Sequence, residues 1–231
     1  MKKMLTCILV GVLALTMSVP VFSAETILPR ESIPVLLDNS AEASGLKELG
    51  ILKGTGDGLE LNRYITRAEA VVLLYRLHPE VTWTTTGLPS PEFSDLYGHW
   101  AYKEVTYAKK LGLVEGVGDG KFEPDRIVTG KEFTKMLLSL MGYENVTINS
   151  AYDLGNESEI ILNNFTKSVV KPNLALLRGD AVRLIWGALL GKTYGGTMLY
   201  KKMIETGKYK EEDFDCLLGC DVASYSGDFS Y

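Results

Sequence analysis

The sequence predicts an all-α protein: three helix-turn-helix repeats, each a helical hairpin, packed together with their second helices in a shared core and followed by short C-terminal helices. Self-similarity is the first observation behind this. LGILKGTGDGLELNRYITRAEA (49–70) and LGLVEGVGDGKFEPDRIVTGKEF (111–133) share a Leu-Gly-apolar start, a Gly-x-Gly-Asp-Gly turn, a charged extended stretch and a Thr three residues before a Glu. A weaker third copy ends in LLRGDAVRLIWGALL (176–190), where Arg178 and Asp180 align with Arg67 and Glu69. The second observation is the Thr-x-x-Glu box, which starts a helix by reciprocal side-chain to backbone hydrogen bonds. The third is that the segments after these boxes are apolar nearly all round, as in buried helices.

The elements follow in chain order. Residues 1–24 read as a signal peptide: Lys2 and Lys3, an apolar run from Met4 to Leu15, then Pro20 and small residues. That run is shorter than the ~20 residues a membrane span needs. Residues 25–40 form an N-terminal extension. Repeat 1 spans 41–80, with Thr66 and Glu69 as its caps and Val71 to Leu77 as its buried helix. A Thr- and Pro-rich linker with Trp83 covers 81–92. Repeat 2 spans 93–143. Its first helix is expected to place Trp100, Val105, Ala108 and Leu111 on one face, and Thr129 and Glu132 cap its second. Repeat 3 spans 144–192 and is degenerate, with its first helix somewhere in 150–170. The tail, 193–231, holds short helices near 198–206 and 210–218.

Composition bounds the function. Net charge is −5, and loss of Lys2 and Lys3 makes it more acidic, which argues against nucleic acid as the main partner. No later segment spans a membrane. Cys216 and Cys220 read as two half-buried apolar residues or as a pair, although their i, i+4 spacing fits a disulfide poorly. The Gly-rich turns lack the Gly-Lys-Ser/Thr of a phosphate loop and the ligand spacing of an EF-hand. Two histidines, His78 and His99, stand in no nucleophile or zinc pattern. No catalytic residue, metal or cofactor is expected, and a glycan-cleaving enzyme is the remote alternative.

The ordered motifs resemble the S-layer homology (SLH) family. Repeat 2 carries most of the likeness: Phe93-Ser-Asp95, His99-Trp100-Ala101, Leu111-Gly-Leu113, Gly116, Asp119-Gly120, Phe122, Pro124 and the Thr-x-x-Glu box. Repeat 1 contributes Ile65-Thr66-Arg67-Ala68-Glu69. The likeness covers roughly 41–192. It implies a three-copy helical module, packed as a pseudo-threefold helical bundle, that attaches exported proteins to the bacterial wall by grooves that hold a secondary cell-wall polysaccharide with an acidic pyruvyl ketal or a peptidoglycan-linked glycan. The copies depart from the pattern: Gly130 stands at the arginine position of repeat 2, with the basic residue moved to Lys131, and Leu177 and Asp180 replace Thr and Glu in repeat 3.

Candidate glycan-binding residues are therefore Arg67, Asp95, Trp100, Gly116, Lys131 and Arg178. Arg67 has two readings: a solvated arginine beside a cap, or a bidentate carboxylate holder at a helix N-terminus with free N–H groups. Trp100 is either core or a sugar-stacking platform, with Asp95 taking hydroxyl hydrogen bonds. Trp186 is expected in the core. The expected setting is the bacterial cell wall or surface. A second function class is a surface structural or interaction protein whose grooves no longer bind glycan. It draws on the lack of a legible cargo domain and leaves room for a surface protein partner.

Overall fold

The computed structural model describes residues 40–80, 90, 92–161, 166–167 and 170–215. The expected signal peptide, almost all of the N-terminal extension, most of the linker including Trp83, the two cysteines and the end of the tail lie outside the described residues. Within them the chain is mostly helical, with isolated β-bridges and no sheet. The α-helices are α1 (Ala41–Glu48), α2 (Arg67–Leu77), α3 (Tyr102–Lys110), α4 (Gly130–Leu140), α5 (Ala151–Glu157), α6 (Arg178–Leu190) and α7 (Leu199–Glu205). Two 3-10 turns, Ser94–Leu96 and Glu211–Phe214, accompany them, the second where a helix near 210–218 is expected.

Three long helices, α2, α4 and α6, make the centre. Val71, Leu74 and Leu77 of α2, Phe133 and Leu137 of α4, and Leu184, Ile185 and Trp186 of α6 are buried, as their near-continuous apolar sequences require. Their starts are built alike. Thr66 and Glu69 form a complete capping box, with Glu69 N–H donating to Thr66 Oγ1 (3.3 Å) and Thr66 N–H to Glu69 Oε2 (3.0 Å). Glu132 accepts from Thr129 N–H at 2.9 Å, and Asp180 from Leu177 N–H at 3.1 Å. Leucine has no acceptor, so the third start keeps only the carboxylate half of the box.

The segment before each of these helices joins a closed ring of backbone hydrogen bonds. Ile65 N–H donates to Leu176 O (3.0 Å), Leu176 N–H to Val128 O (2.9 Å) and Val128 N–H to Ile65 O (3.1 Å). Each segment thus gives one bond and takes one.

The short helices correct the expected hairpin packing. Each is expected to lie on the long helix that follows it. Instead α3 packs on α2, α5 on α4 and α1 on α6. The chain between a short helix and the next long one is too long for a tight hairpin. It crosses to the neighbouring helix start, as the 122–126 carbonyls against α2 show. In the 116–120 turn Gly118, Asp119 and Gly120 all have positive φ, a conformation glycine adopts without steric cost.

The expected face of α3 is also corrected. Val105 and Ala108 are fully buried, but Trp100 is 62% and Leu111 41% exposed. The helix starts only at Tyr102, and its N-cap Ala101 makes no side-chain cap. Trp100 therefore lies outside the helical register.

Candidate functional site

The arginine at the start of α2 is not solvated. Arg67 is 4% exposed and reaches into the 115–122 segment. Its Nε donates to Phe122 O (3.0 Å), one terminal nitrogen to Glu115 O (3.2 Å) and the other to Glu132 Oε1 (3.3 Å). Its guanidinium lies 4.6 Å from the Phe122 ring centroid, a cation–π distance. Burial disfavours the Arg67 cation, and the Glu132 carboxylate offsets part of that cost. The expected free N–H groups are spent as well. Arg67 N–H bonds Arg126 O, and Ala68 N–H bonds Pro124 O, both at 2.9 Å. The orphan donors of a helix start are satisfied by chain, so the helix terminus itself offers no anion site.

The same geometry recurs at α6. Arg178 Nε donates to Leu59 O (2.9 Å) and a terminal nitrogen to Lys53 O (2.7 Å). Its guanidinium lies 4.0 Å from Glu69 Oε1. Arg178 and Gly179 N–H groups bond Arg63 O and Leu61 O. Lys131 is also buried, at 6% exposure, with its N–H on Pro172 O (2.9 Å).

Around Arg67 the structure gathers two other expected site residues, in roles the sequence did not show. Asp95 is consumed by backbone: its carboxylate accepts from Phe122 N–H (3.0 Å) and Glu123 N–H (2.8 Å). Gly116 is set by close packing, since a Cβ there would lie 2.6 Å from Phe93 Cε1 and 2.7 Å from Lys121 O. Both residues hold the loop whose carbonyls receive Arg67. Trp100 stands exposed, 5.4 Å from the His99 ring. His99 is fixed in turn by Asp125 Oδ1 at 3.2 Å. Arg178 and Lys131 belong to the two other helix starts.

Two residues were missed. Arg126 clamps Glu132 with both terminal nitrogens (2.5 and 3.4 Å) and donates through Nε to Glu123 Oε2 (2.9 Å). Arg63 clamps Glu69 (2.5 and 2.9 Å) and reaches Glu60 at 3.2 Å. Both side chains are about a third exposed, at 29% and 34%. Each stands three residues before a capping threonine, a shared offset that would have revealed them. Two of the three helix starts thus pair a buried arginine with a partly exposed one on a single glutamate: Arg67 and Arg126 on Glu132, and Arg178 and Arg63 on Glu69.

Burial pushes the Glu132 carboxyl up. The Arg126 hydrogen bonds, the Thr129 N–H and the two guanidinium charges outweigh it, so its net pKa falls below the usual 4.5. Glu69 behaves likewise through Arg63, Thr66 and Arg178. A lowered carboxylate contributes stability above its unfolded value and loses it as pH falls through the folded one. Urea midpoints should therefore drop on acidification from about pH 5 to below about pH 4. The drop should be smaller in a Glu69→Gln/Glu132→Gln double variant. Equal drops in both proteins would refute the assignment.

Among the described residues no helix is long and apolar enough to cross a membrane. Residues 92–134 match the S-layer homology domain. The Middle cell wall protein of Brevibacillus brevis is 30% identical over 82% of the chain, which spans 18% of that protein. The Surface layer protein of Brevibacillus choshinensis is 26% identical over 82% of the chain and 17% of its own length. Cell surface glycoprotein 1 of Acetivibrio thermocellus is 31% identical over 49% of the chain and 5% of its own length. The chain thus spans less than a fifth of each of these relatives. Residues 92–134 are accordingly an S-layer homology domain, in a protein of the cell wall or cell surface.

Proposed function

We propose that the chain is a non-enzymatic wall-anchoring module, built of three repeats around a pseudo-threefold axis, that binds an acidic secondary cell-wall polysaccharide bearing a pyruvyl ketal. The observation that carries this reading is the S-layer homology match across 92–134. Proteins with shorter matches include enzymes, but the arginine clusters here are built to hold charge, not to transfer protons.

The geometry supports a specific division of labour. Arg67 and Arg178 are buried against backbone carbonyls and act as girders. Arg126 and Arg63 keep a solvent-facing edge, where each meets Glu123 or Glu60. Such partly exposed pairs contribute little to stability. A ligand carboxylate can therefore replace the glutamate at small cost and gain the planar fork that arginine offers. Trp100 provides an exposed aromatic face for a sugar ring.

The test is co-sedimentation of the full chain with purified wall sacculi. Wild type is expected to pellet, and an Arg63→Gln/Arg126→Gln variant to lose at least tenfold in affinity. Sacculi stripped of pyruvyl groups should capture neither. Equal capture of both proteins by both sacculi would sink the reading. The interaction-protein alternative draws on one observation, that Arg67, Lys131 and Arg178 are all taken up by the fold. A surface-protein complex that survives removal of the polysaccharide would favour it.

A further inference from the structure

The three helix starts face three acceptor segments, and the hydrogen bonds align them residue by residue. Arg67 and Ala68 N–H groups bond carbonyls 126 and 124. Arg178 and Gly179 bond 63 and 61, and Gly130 and Lys131 bond 174 and 172. Phe122, Leu59 and Val170 are therefore matched, each two residues before its 124, 61 or 172 carbonyl. Two of these carbonyls receive an arginine Nε. The third, Val170 O, receives the Tyr152 hydroxyl at 2.5 Å.

The substitution at this junction is thorough. Gly130 stands where Arg67 and Arg178 stand, and Leu174 where Arg126 and Arg63 stand. Asp180, the counterpart of Glu132 and Glu69, pairs with Arg183 of its own helix at 3.1 Å. Both partners are nearly buried, at 2% and 8% side-chain exposure. The backbone differs too. Glu123 and Glu60 have positive φ, but Lys171, their counterpart, does not. The Lys171 carbonyl consequently turns into the space where a side chain at 130 would begin, and a Cβ there would overlap it. Lys131 does not restore the missing cation at the rim: it takes the register of Ala68, is buried and is already engaged.

We infer that Tyr152, Gly130 and the Lys171 carbonyl seal the α4 junction, so that the chain offers two acid-binding junctions and not three. Tyr152 is the positioning residue of the sealed one: it does for the Val170 carbonyl what an arginine does at the others, without leaving a charge at the surface. The inference rests on the acidic-glycan reading above and adds which junctions serve it.

Native mass spectrometry of the full chain with a methyl hexoside carrying a 4,6-pyruvyl ketal counts the sites. Two ligands per chain are expected at saturation. Arg126→Gln and Arg63→Gln should each reduce the count to one, and Tyr152→Phe should leave it at two. Three ligands on wild type, or one ligand persisting in the Arg63→Gln/Arg126→Gln double variant, would overturn the sealing. No ligand on wild type would instead overturn the acidic-glycan reading itself. The wild-type count needs no mutation, so a variant that fails to fold does not remove the test.

Discussion

Arg67→Ala is expected to destabilise the fold by about 3 kcal/mol, a loss measurable as a fall in the urea midpoint of roughly 1 M for a chain of this size. Three hydrogen bonds disappear together, two of them to the backbone carbonyls of Phe122 and Glu115. The contact with the Phe122 ring goes with them. Glu132 is not stranded, because Arg126 still clamps it, and this keeps the cost below that of a fully orphaned buried charge. Arg67→Lys should recover less than half. A single ammonium cannot reach three acceptors arranged for a planar fork. An Arg67→Ala midpoint within error of wild type would refute the girder role. The result also separates two explanations of any wall-binding defect. Arg126→Gln should impair binding with a smaller loss of stability than Arg67→Ala, because Arg67 still pairs with Glu132 and the two backbone carbonyls keep their donor.

Gly130→Ala is expected to cost a similar amount, about 3 kcal/mol, although alanine favours helix over glycine. The new Cβ would overlap the Lys171 carbonyl oxygen and sit 3.2 Å from Val170 Cγ1. The obstruction is backbone, so no side-chain rotation relieves it. The matched residues Arg67 and Arg178 carry full side chains, which shows that the helix start itself tolerates bulk. The cost arises from the path of the 170–172 segment. Thermal or urea midpoints would check this, and a stabilised Gly130→Ala would show that the segment yields.

The local parts of this fold were legible. Thr66 and Glu69 lie three residues apart, and the capping box they form needs no knowledge of the rest of the chain. The burial of Val71, Leu74, Phe133 and Leu137 follows from apolar sequence alone. What failed was whatever depended on distant partners. Arg67 reads as an exposed neighbour of a cap because its acceptors lie 48, 55 and 65 residues away, and Arg178 finds Leu59 across 119. Asp95 reads as a sugar ligand because nothing local reveals that two amides 27 and 28 residues on will occupy it. Trp100 reads as part of the α3 face because Ala101 gives no signal of where the helix begins. The short helices were folded back on the wrong neighbours for the same reason: periodicity gives a helix its apolar face but not the surface that face will meet. Arg63 and Arg126 were within reach, since their offset from the threonines is constant, but charged residues in an extended stretch draw no attention until a structure shows them on one glutamate.

The ring through Ile65, Val128 and Leu176 bears on how such a module would fail under load. In a stacked linear array the outermost unit touches one neighbour, so it can peel first and the rest can follow. Here each of the three segments is bonded to both others. Detaching any one leaves a bare amide on one remaining segment and a bare carbonyl on the other. There is no outermost unit to start from. A pull on the chain is therefore expected to load all three junctions together and not one after another.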